Sequence, residues 1–327
     1  MKVKVAILGM GRWGMNLHQS VLQSHRIDVT HACTRSPEKV RDYCQQHQIH
    51  LTDNYPEILA NPDIGAVLIA TPHTQHYEQI LAAAEAGKHV FSEKPFTLSG
   101  AEAAGALEKL AQQNLRVGIG HNRRFAPNTL ALKAMLDNQE LGDIIYMDGM
   151  FSAQMSGSKD QWRDSRAESP AGGMTSLGIH VVDMFTHLAG EMSEVSARSQ
   201  RRYSNCAFDD ATVVNLTFKA GFFGMLTTLT ASPMQWCIRV YGTRGRAELH
   251  EQNSLRLVLD GQSEQVIEYP GYDYPALQSI GDCLDDFAAA IQEEKPFMIS
   301  PREIQHATEV LDAVIHTADH GGSVILG

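Results

Sequence analysis

Gly9-Met10-Gly11-Arg12-Trp13-Gly14 is a G-x-G-x-x-G, preceded by a short apolar run (Val3, Val5, Ile7, Leu8) and followed by a helical pattern from about Trp13 to Gln23. Strand, glycine turn and helix in that order give each glycine a physical task. Gly9 permits the tight turn, Gly11 lets a pyrophosphate approach the backbone, and Gly14 lets the helix pack closely on the strand. The pyrophosphate would lie at the positive end of the helix dipole. The loop, with Arg12 and Trp13 inside it, is expected to hold a dinucleotide.

The next informative stretch is Cys33-Thr34-Arg35-Ser36, at the end of the second strand-like run. A carboxylate there, about 20 residues beyond the glycines, would select NAD through its ribose 2'-hydroxyl. None stands at that place. Arg35 with the hydroxyls of Thr34 and Ser36 suits a 2'-phosphate, so NADP is expected ahead of NAD, with NAD as the alternative.

These groups need a scaffold, and the pattern supplies one. Strands are expected at Ile27 to Cys33, Ile64 to Ala70, His89 to Phe91 and Leu115 to Ile119. Helices are expected after Ser36-Pro37, where a hydroxyl would cap the first turn, and at about Gln75 to Ala86 and Ala101 to Gln113. Alternation of this kind reads as a doubly wound parallel sheet. Beyond His121 the pattern changes: a helix at about Pro127 to Asp137, a strand Ile144 to Phe151, an irregular segment Ser156 to Gly173, and a helix Ile179 to Leu188. Strand-like runs then follow one another from Val195 to Tyr269, as in an antiparallel sheet. Two terminal helices, about Ala276 to Glu294 and Pro301 to Asp319, are expected to cover one of its faces. The fold class is therefore α/β: a Rossmann domain over residues 1–121 and an α+β domain with a mainly antiparallel open sheet over 122–327. With no long linker, the two are expected to sit close, with a cleft between them.

Composition narrows the function classes. The chain has 327 residues, 43% hydrophobic and 20% charged, with a net charge of -11 and no Lys/Arg run. That excludes the basic surfaces that bind nucleic acid or acidic membranes and suits a small diffusible substrate. Five scattered cysteines without a C-x-x-C imply a reducing compartment, and no apolar run is long enough to span a bilayer. The first strand starts at Lys2, leaving no room for a leader, so a cytoplasmic location is expected.

Three further segments carry a resemblance. They are Ala70-Thr71-Pro72-His73-Thr74-Gln75-His76, Ser92-Glu93-Lys94-Pro95, and Gly172-Gly173-Met174-Thr175-Ser176-Leu177-Gly178-Ile179-His180-Val181-Val182-Asp183. With the glycine loop, Gly120-His121-Asn122-Arg123-Arg124-Phe125, Trp162-Arg163 and Val240-Tyr241-Gly242-Thr243-Arg244-Gly245, the chain resembles the Gfo/Idh/MocA family of NAD(P)-dependent oxidoreductases. The resemblance implies that Thr71, Pro72 and His76 lie near the diphosphate and nicotinamide, with Glu93 and Lys94 on the cofactor side. It implies that Lys94 is the catalytic lysine and that His180 faces it from the second domain. On residue type alone Lys94 could equally snorkel at a strand end, and His180 could be a satisfied helical histidine.

The chemistry explains why such residues are needed. Oxidising a secondary alcohol requires a hydride to leave carbon while a proton leaves oxygen. A partly desolvated lysine beside a cationic nicotinamide has a depressed pKa and can hydrogen-bond the developing alkoxide; His180 can then act as base, or as acid in reduction. Asn122, Arg123, Trp162 and Arg163 suit a sugar, an aromatic face for C–H bonds beside groups that bind hydroxyls. The alternative is a solvated ion-pair loop of Arg163, Asp164 and Arg166.

One position departs from the resemblance. Family members typically carry an aspartate four residues before the histidine, where this chain has Ser176. On a helix Ser176 shares a face with His180 and can hydrogen-bond a hydroxyl, but it does not ionise near neutral pH. Asp183 could orient the imidazole. His73 and His76 form an H-x-x-H without an acidic or sulfur neighbour, and His250-Glu251 is followed by Ser254, so no metal is expected. The expected function is hydride transfer between nicotinamide and a hydroxyl or carbonyl carbon of a sugar, polyol or related cyclic alcohol. A redox-neutral glycosidase or epimerase, or a dinucleotide-binding sensor without catalysis, are the alternatives. The resemblance also implies a homodimer or homotetramer.

Overall fold

The computed structural model describes residues 1–155, 162, 164–203, 207–272 and 277–327. Arg163, Cys206, Ala276 and the stretch 156–161 lie outside the described residues. In chain order the elements begin with β1 (Val3–Leu8), α1 (Arg12–Ser20), β2 (Ile27–Cys33), α2 (Arg41–Gln46), β3 (His50–Thr52) and α3 (Tyr55–Ala60). There follow β4 (Ala66–Ile69), α4 (His76–Glu85), β5 (His89–Ser92), α5 (Gly100–Gln112) and β6 (Val117–Ile119). Next come α6 (Pro127–Asp137), β7 (Ile144–Ser152), α7 (Ile179–Ala189), β8 (Met192–Gln200), β9 (Ala211–Phe218) and β10 (Phe223–Leu229). The chain closes with β11 (Gln235–Gly242), β12 (Gly245–His250), β13 (Ser254–Leu259), β14 (Gln265–Glu268), α8 (Leu277–Gln292), α9 (Pro301–His320) and β15 (Val324–Ile325).

Two compact units emerge. The first comprises Met1–Thr97, Ala101–Asn122 and Leu277–Gln305; the second comprises Leu98–Gly100, Arg123–Ala276 and His306–Gly327. Among the described residues the first unit holds a six-stranded sheet in the order β3-β2-β1-β4-β5-β6, parallel throughout. This is the doubly wound order, with its reversal between β1 and β4. Burial on both faces explains the sequence of β4, in which all four residues are buried. Leu8 pairs with Ile69, Ile69 with Ser92 and Ser92 with Ile119. The segments that follow these residues therefore leave the sheet along one edge.

The second unit holds a nine-stranded sheet, β14-β13-β12-β11-β7-β10-β9-β8-β15, among the described residues. It is mainly antiparallel but contains a parallel pair, β7 with β10, which adjacency in sequence does not reveal. Its core joins Met147, Ile238, Val240, Val214 and Leu216 of the strands to Val181 and Phe185 of α7 and Val310 and Val314 of α9. On the opposite face Val213, Phe223 and Met225 are exposed, and Arg239 bridges Asp148 and Glu248.

One terminal helix departs from expectation. α9 covers the second sheet, but α8 belongs to the first unit and packs on α1, β1, β2 and β6. The reason is complementary shape: a Cβ on Gly118 of β6 would lie 2.8 Å from the rings of both Phe287 and Phe91, so the bare backbone of β6 receives the Phe287 ring of α8. Close approach of α1 to α8 is likewise fixed at Gly281, where a Cβ would lie 2.6 Å from the Ser20 carbonyl. A second departure lies at Ser36-Pro37, where a short 3-10 turn (Pro37–Lys39) precedes α2 and Ser36 makes no side-chain cap bond.

Candidate active site

The glycine loop at the end of β1 behaves as its spacing predicts. Gly9 has φ +92°, and a Cβ there would lie 2.6 Å from the Ala70 carbonyl; its own N–H donates to Cys33 O at 2.8 Å. A Cβ on Gly14 would lie 2.2 Å from Gly9 O, so α1 can approach the strand only without one. Gly11 differs, because a Cβ there would meet nothing within 4 Å. Open space thus stands over the N-terminus of α1, whose cap residue, Gly11, has no side chain to occupy the first-turn N–H groups. Beside it the Trp13 indole N–H is buried and without a partner among the described residues. Unengaged amides at a positive helix end, room for a bulky anion and an unmatched donor are what a dinucleotide diphosphate needs; the residues fit the group.

At the end of β2, Thr34 N–H donates to Thr52 O at 3.0 Å and Arg35 is exposed. Burial pushes the neighbouring Cys33 thiol up to about 11, and the charges of Asp53 and Glu57 add to the effect. Carboxylates therefore come near this end from beyond β3. Sequence inspection missed them because β3 is a short, partly exposed edge strand, His-Leu-Thr, with no apolar pattern.

The segments leaving β4 and β5 lie next along the same edge. Thr71 Oγ1 donates to Gln79 Oε1 at 2.6 Å. His76 is fully buried, with Nδ1 2.8 Å from the Pro95 carbonyl and Nε2 3.1 Å from the Thr71 carbonyl. Its ring meets that of His73 edge-on at 5.9 Å. Glu93 is buried and accepts from the Lys94 N–H at 3.3 Å. A Cβ on Gly120 would lie 2.7 Å from Glu93 Oε1, so the glycine after β6 makes room for that carboxylate. Lys94 is half-buried. The first unit thus gathers Gly9, Gly11, Thr71, Pro72, His76, Glu93 and Lys94 along one sheet edge, while Asn122 donates to Ser279 of α8 at 2.7 Å.

In the second unit Met174–Gly178 forms a π-helical turn that runs directly into α7. Such turns are rare and concentrate at functional sites. Gly172 (φ +59°) and Gly173 hold it against the strands: Cβ atoms there would lie 2.3 Å from Asp209 O and 2.9 Å from Thr228 Oγ1. Ser176 and His180 are buried. The His180 ring lies 6.0 Å from that of Phe151, which meets Trp236 edge-on at 5.1 Å. The Arg123 guanidinium sits over both aromatic rings, 4.7 Å from the Phe151 centroid and 4.0 Å from that of Trp236. Next in the chain, Arg124 donates from Nε to both oxygens of Asp183, at 3.0 and 3.1 Å, and from Nη2 to Oδ1 at 2.7 Å. This pair is almost fully buried. Asp183, which sequence reading offered to the imidazole, is thus a partner of Arg124. Neither the Arg124–Asp183 tie nor the Arg123 stack was recognised from sequence; the doubled arginine of Asn-Arg-Arg-Phe was the available signal. Trp162 is half-buried.

An oxidoreductase is the class that this fold and site define. The chain belongs to the Gfo/Idh/MocA family: residues 3–121 match its oxidoreductase domain with NAD-binding Rossmann fold, and residues 129–248 match the Gfo/Idh/MocA C-terminal domain. It is 29% identical to scyllo-inositol 2-dehydrogenase (NAD(+)) of Bacillus subtilis (strain 168) over 282 residues, 81% of this chain and 80% of that protein. It is also 29% identical to scyllo-inositol 2-dehydrogenase (NADP(+)) IolW of the same organism over 206 residues, 62% of this chain and 56% of that protein. A levoglucosan dehydrogenase in complex with NADH has the same fold, with a TM-score of 0.92, 20% identity and 100% coverage of both chains. Among the described residues no helix is long and apolar enough to cross a membrane.

Proposed function

We propose that the chain is an NAD(P)-dependent oxidoreductase acting on a CH–OH or carbonyl carbon of a sugar, polyol or related cyclic alcohol, with NADP favoured over NAD. The observation that carries the reading is the alignment of the glycine loop, the Thr71-Pro72 turn and Lys94 along one edge of the parallel sheet. In open sheets of this kind ligands bind at that edge, at the switch point. When bound, a nicotinamide dinucleotide supplies the hydride acceptor or donor. The chain's own residues handle the proton. Lys94 hydrogen-bonds the substrate oxygen, and His180 takes its proton in oxidation and returns it in reduction. Ser176, in place of the family aspartate, contributes a hydroxyl only, so the proton path runs without a carboxylate.

Sugar or polyol chemistry is supported by the activities of the inositol and levoglucosan dehydrogenases that the chain resembles and by the aromatic and guanidinium groups around His180. The NADP preference is supported by Arg35, exposed at the end of β2, with the hydroxyls of Thr34 and Ser36 beside it. Asn122, Trp162 and Arg163 complete the proposed substrate and specificity set. A homodimer or homotetramer belongs to the same reading, supported by the exposed Val213, Phe223 and Met225 of the open sheet face. A dinucleotide-binding sensor is the second reading, favoured by Ser176.

Replacing Lys94 by alanine decides between them. Turnover is expected to fall below detection while the dinucleotide dissociation constant, followed by tryptophan fluorescence, changes little. Activity that survives in Lys94→Ala contradicts the assignment, and a wild-type protein that binds dinucleotide but turns nothing over favours the sensor.

A further inference from the structure

His76 has an arrangement that the proposed proton chemistry does not use. Both ring nitrogens point at backbone carbonyl oxygens, Pro95 O at 2.8 Å and Thr71 O at 3.1 Å, and the side chain is fully buried. A carbonyl can only accept, whereas a neutral imidazole has one N–H and one lone pair. In either neutral tautomer one carbonyl would face a lone pair at hydrogen-bond distance. The doubly protonated ring gives each carbonyl an N–H.

We infer that His76 is a positioning residue, held as a buried imidazolium, which ties the carbonyls of Thr71 and Pro95 together and so fixes the turn that carries Lys94. The inference rests on the reading of Lys94 as the catalytic lysine. Burial opposes the charge, and two hydrogen bonds to the charged form favour it. Of the titratable groups, His73 in the preceding turn meets the ring edge-on at 5.9 Å and opposes the charge when itself protonated; Glu93 and Lys94 precede Pro95 in the chain. Ser92 Oγ, 3.4 Å from Nδ1, donates to Glu93 O at 2.9 Å. Thr71 leaves β4 beside the glycine loop and Pro95 follows Lys94 directly. One side chain on α4 therefore sets the spacing between two loops of the sheet edge, without itself touching the reacting atoms.

The test is nitrogen-15 NMR of the whole protein labelled at histidine, with the His76 signals identified by their loss in His76→Gln. Two N–H signals, both nitrogens protonated and neither titrating between about pH 6 and about pH 8.5, are expected, and Ser92→Ala is expected to keep both. A single N–H, or titration in that range, overturns the charge; this spectrum needs no folded variant at position 76 if Ser92→Ala shifts the same signals. In kinetics His76→Gln is expected to lower kcat about 10²-fold, the usual effect of slight misplacement, while the dinucleotide dissociation constant moves less than about 3-fold. An unchanged kcat, or equal losses in both, overturns the positioning role. Should the wild type turn over no sugar or polyol, the functional reading fails while the histidine spectrum still decides the clamp.

Discussion

Gly9, Gly11 and Gly14 occur in one motif for three separate physical reasons: a left-handed backbone, an open approach and a crossing without room for a Cβ. A residue can also be informative by its titration. His18 Nδ1 on α1 lies in hydrogen-bond contact with the Tyr43 hydroxyl of α2 at 2.7 Å, and its ring meets that of His47 at 4.8 Å. Burial first, and then the charge of His47, lower its pKa from 6.5 to about 4. The folded protein therefore keeps His18 neutral where the unfolded chain takes up a proton. The stability from this burial is complete above about pH 6.5 and is lost as the pH falls towards about 4. Its size is at most about 3–4 kcal/mol. Urea midpoints of the wild type and His18→Phe, compared at about pH 7 and about pH 4.5, are expected to converge on acidification; parallel losses would contradict the attribution.

At the scale of elements, the Arg124–Asp183 pair ties the segment after β6 to α7, one helical turn beyond His180. Removing one partner of such a buried pair costs about 3–5 kcal/mol, because the other charge remains without water, whereas replacing both by apolar groups costs less. Asp183→Asn is therefore expected to lower the urea midpoint sharply, and the double variant Arg124→Met with Asp183→Leu to recover part of it. Equal midpoints for wild type and Asp183→Asn would show that the pair contributes nothing.

Which elements could be read from sequence follows from what shapes them. Strands buried on both faces, such as Ala66–Ile69, declare themselves as apolar runs, and the glycine loop declares its own backbone demands. β3 does not, because an edge strand of His, Leu and Thr has no face to hide. The partner of α8 was equally illegible: its apolar face, with Ile280, Leu284 and Phe287, suits either sheet, and the bare backbone at Gly118 selects the first. Lys94 and His180 are proposed site residues on motif resemblance alone. Arg124 and Asp183 stand 59 residues apart, and no local pattern pairs one charge with another over that distance.

At the scale of the molecule, the proposed dinucleotide cradle and Lys94 belong to one unit, and the proposed proton carrier His180, in the first turn of α7, belongs to the other. The central claim is that the chain moves a hydride to or from a sugar-like carbon. Absorbance at the reduced-nicotinamide band, recorded for the purified protein with NADP+ or NAD+ and a panel of sugars and inositols, tests it directly. The account predicts a substrate-dependent rise with at least one polyol, with a higher kcat/KM for NADP+ than for NAD+. Saturable dinucleotide binding with no absorbance change on any of them would contradict it.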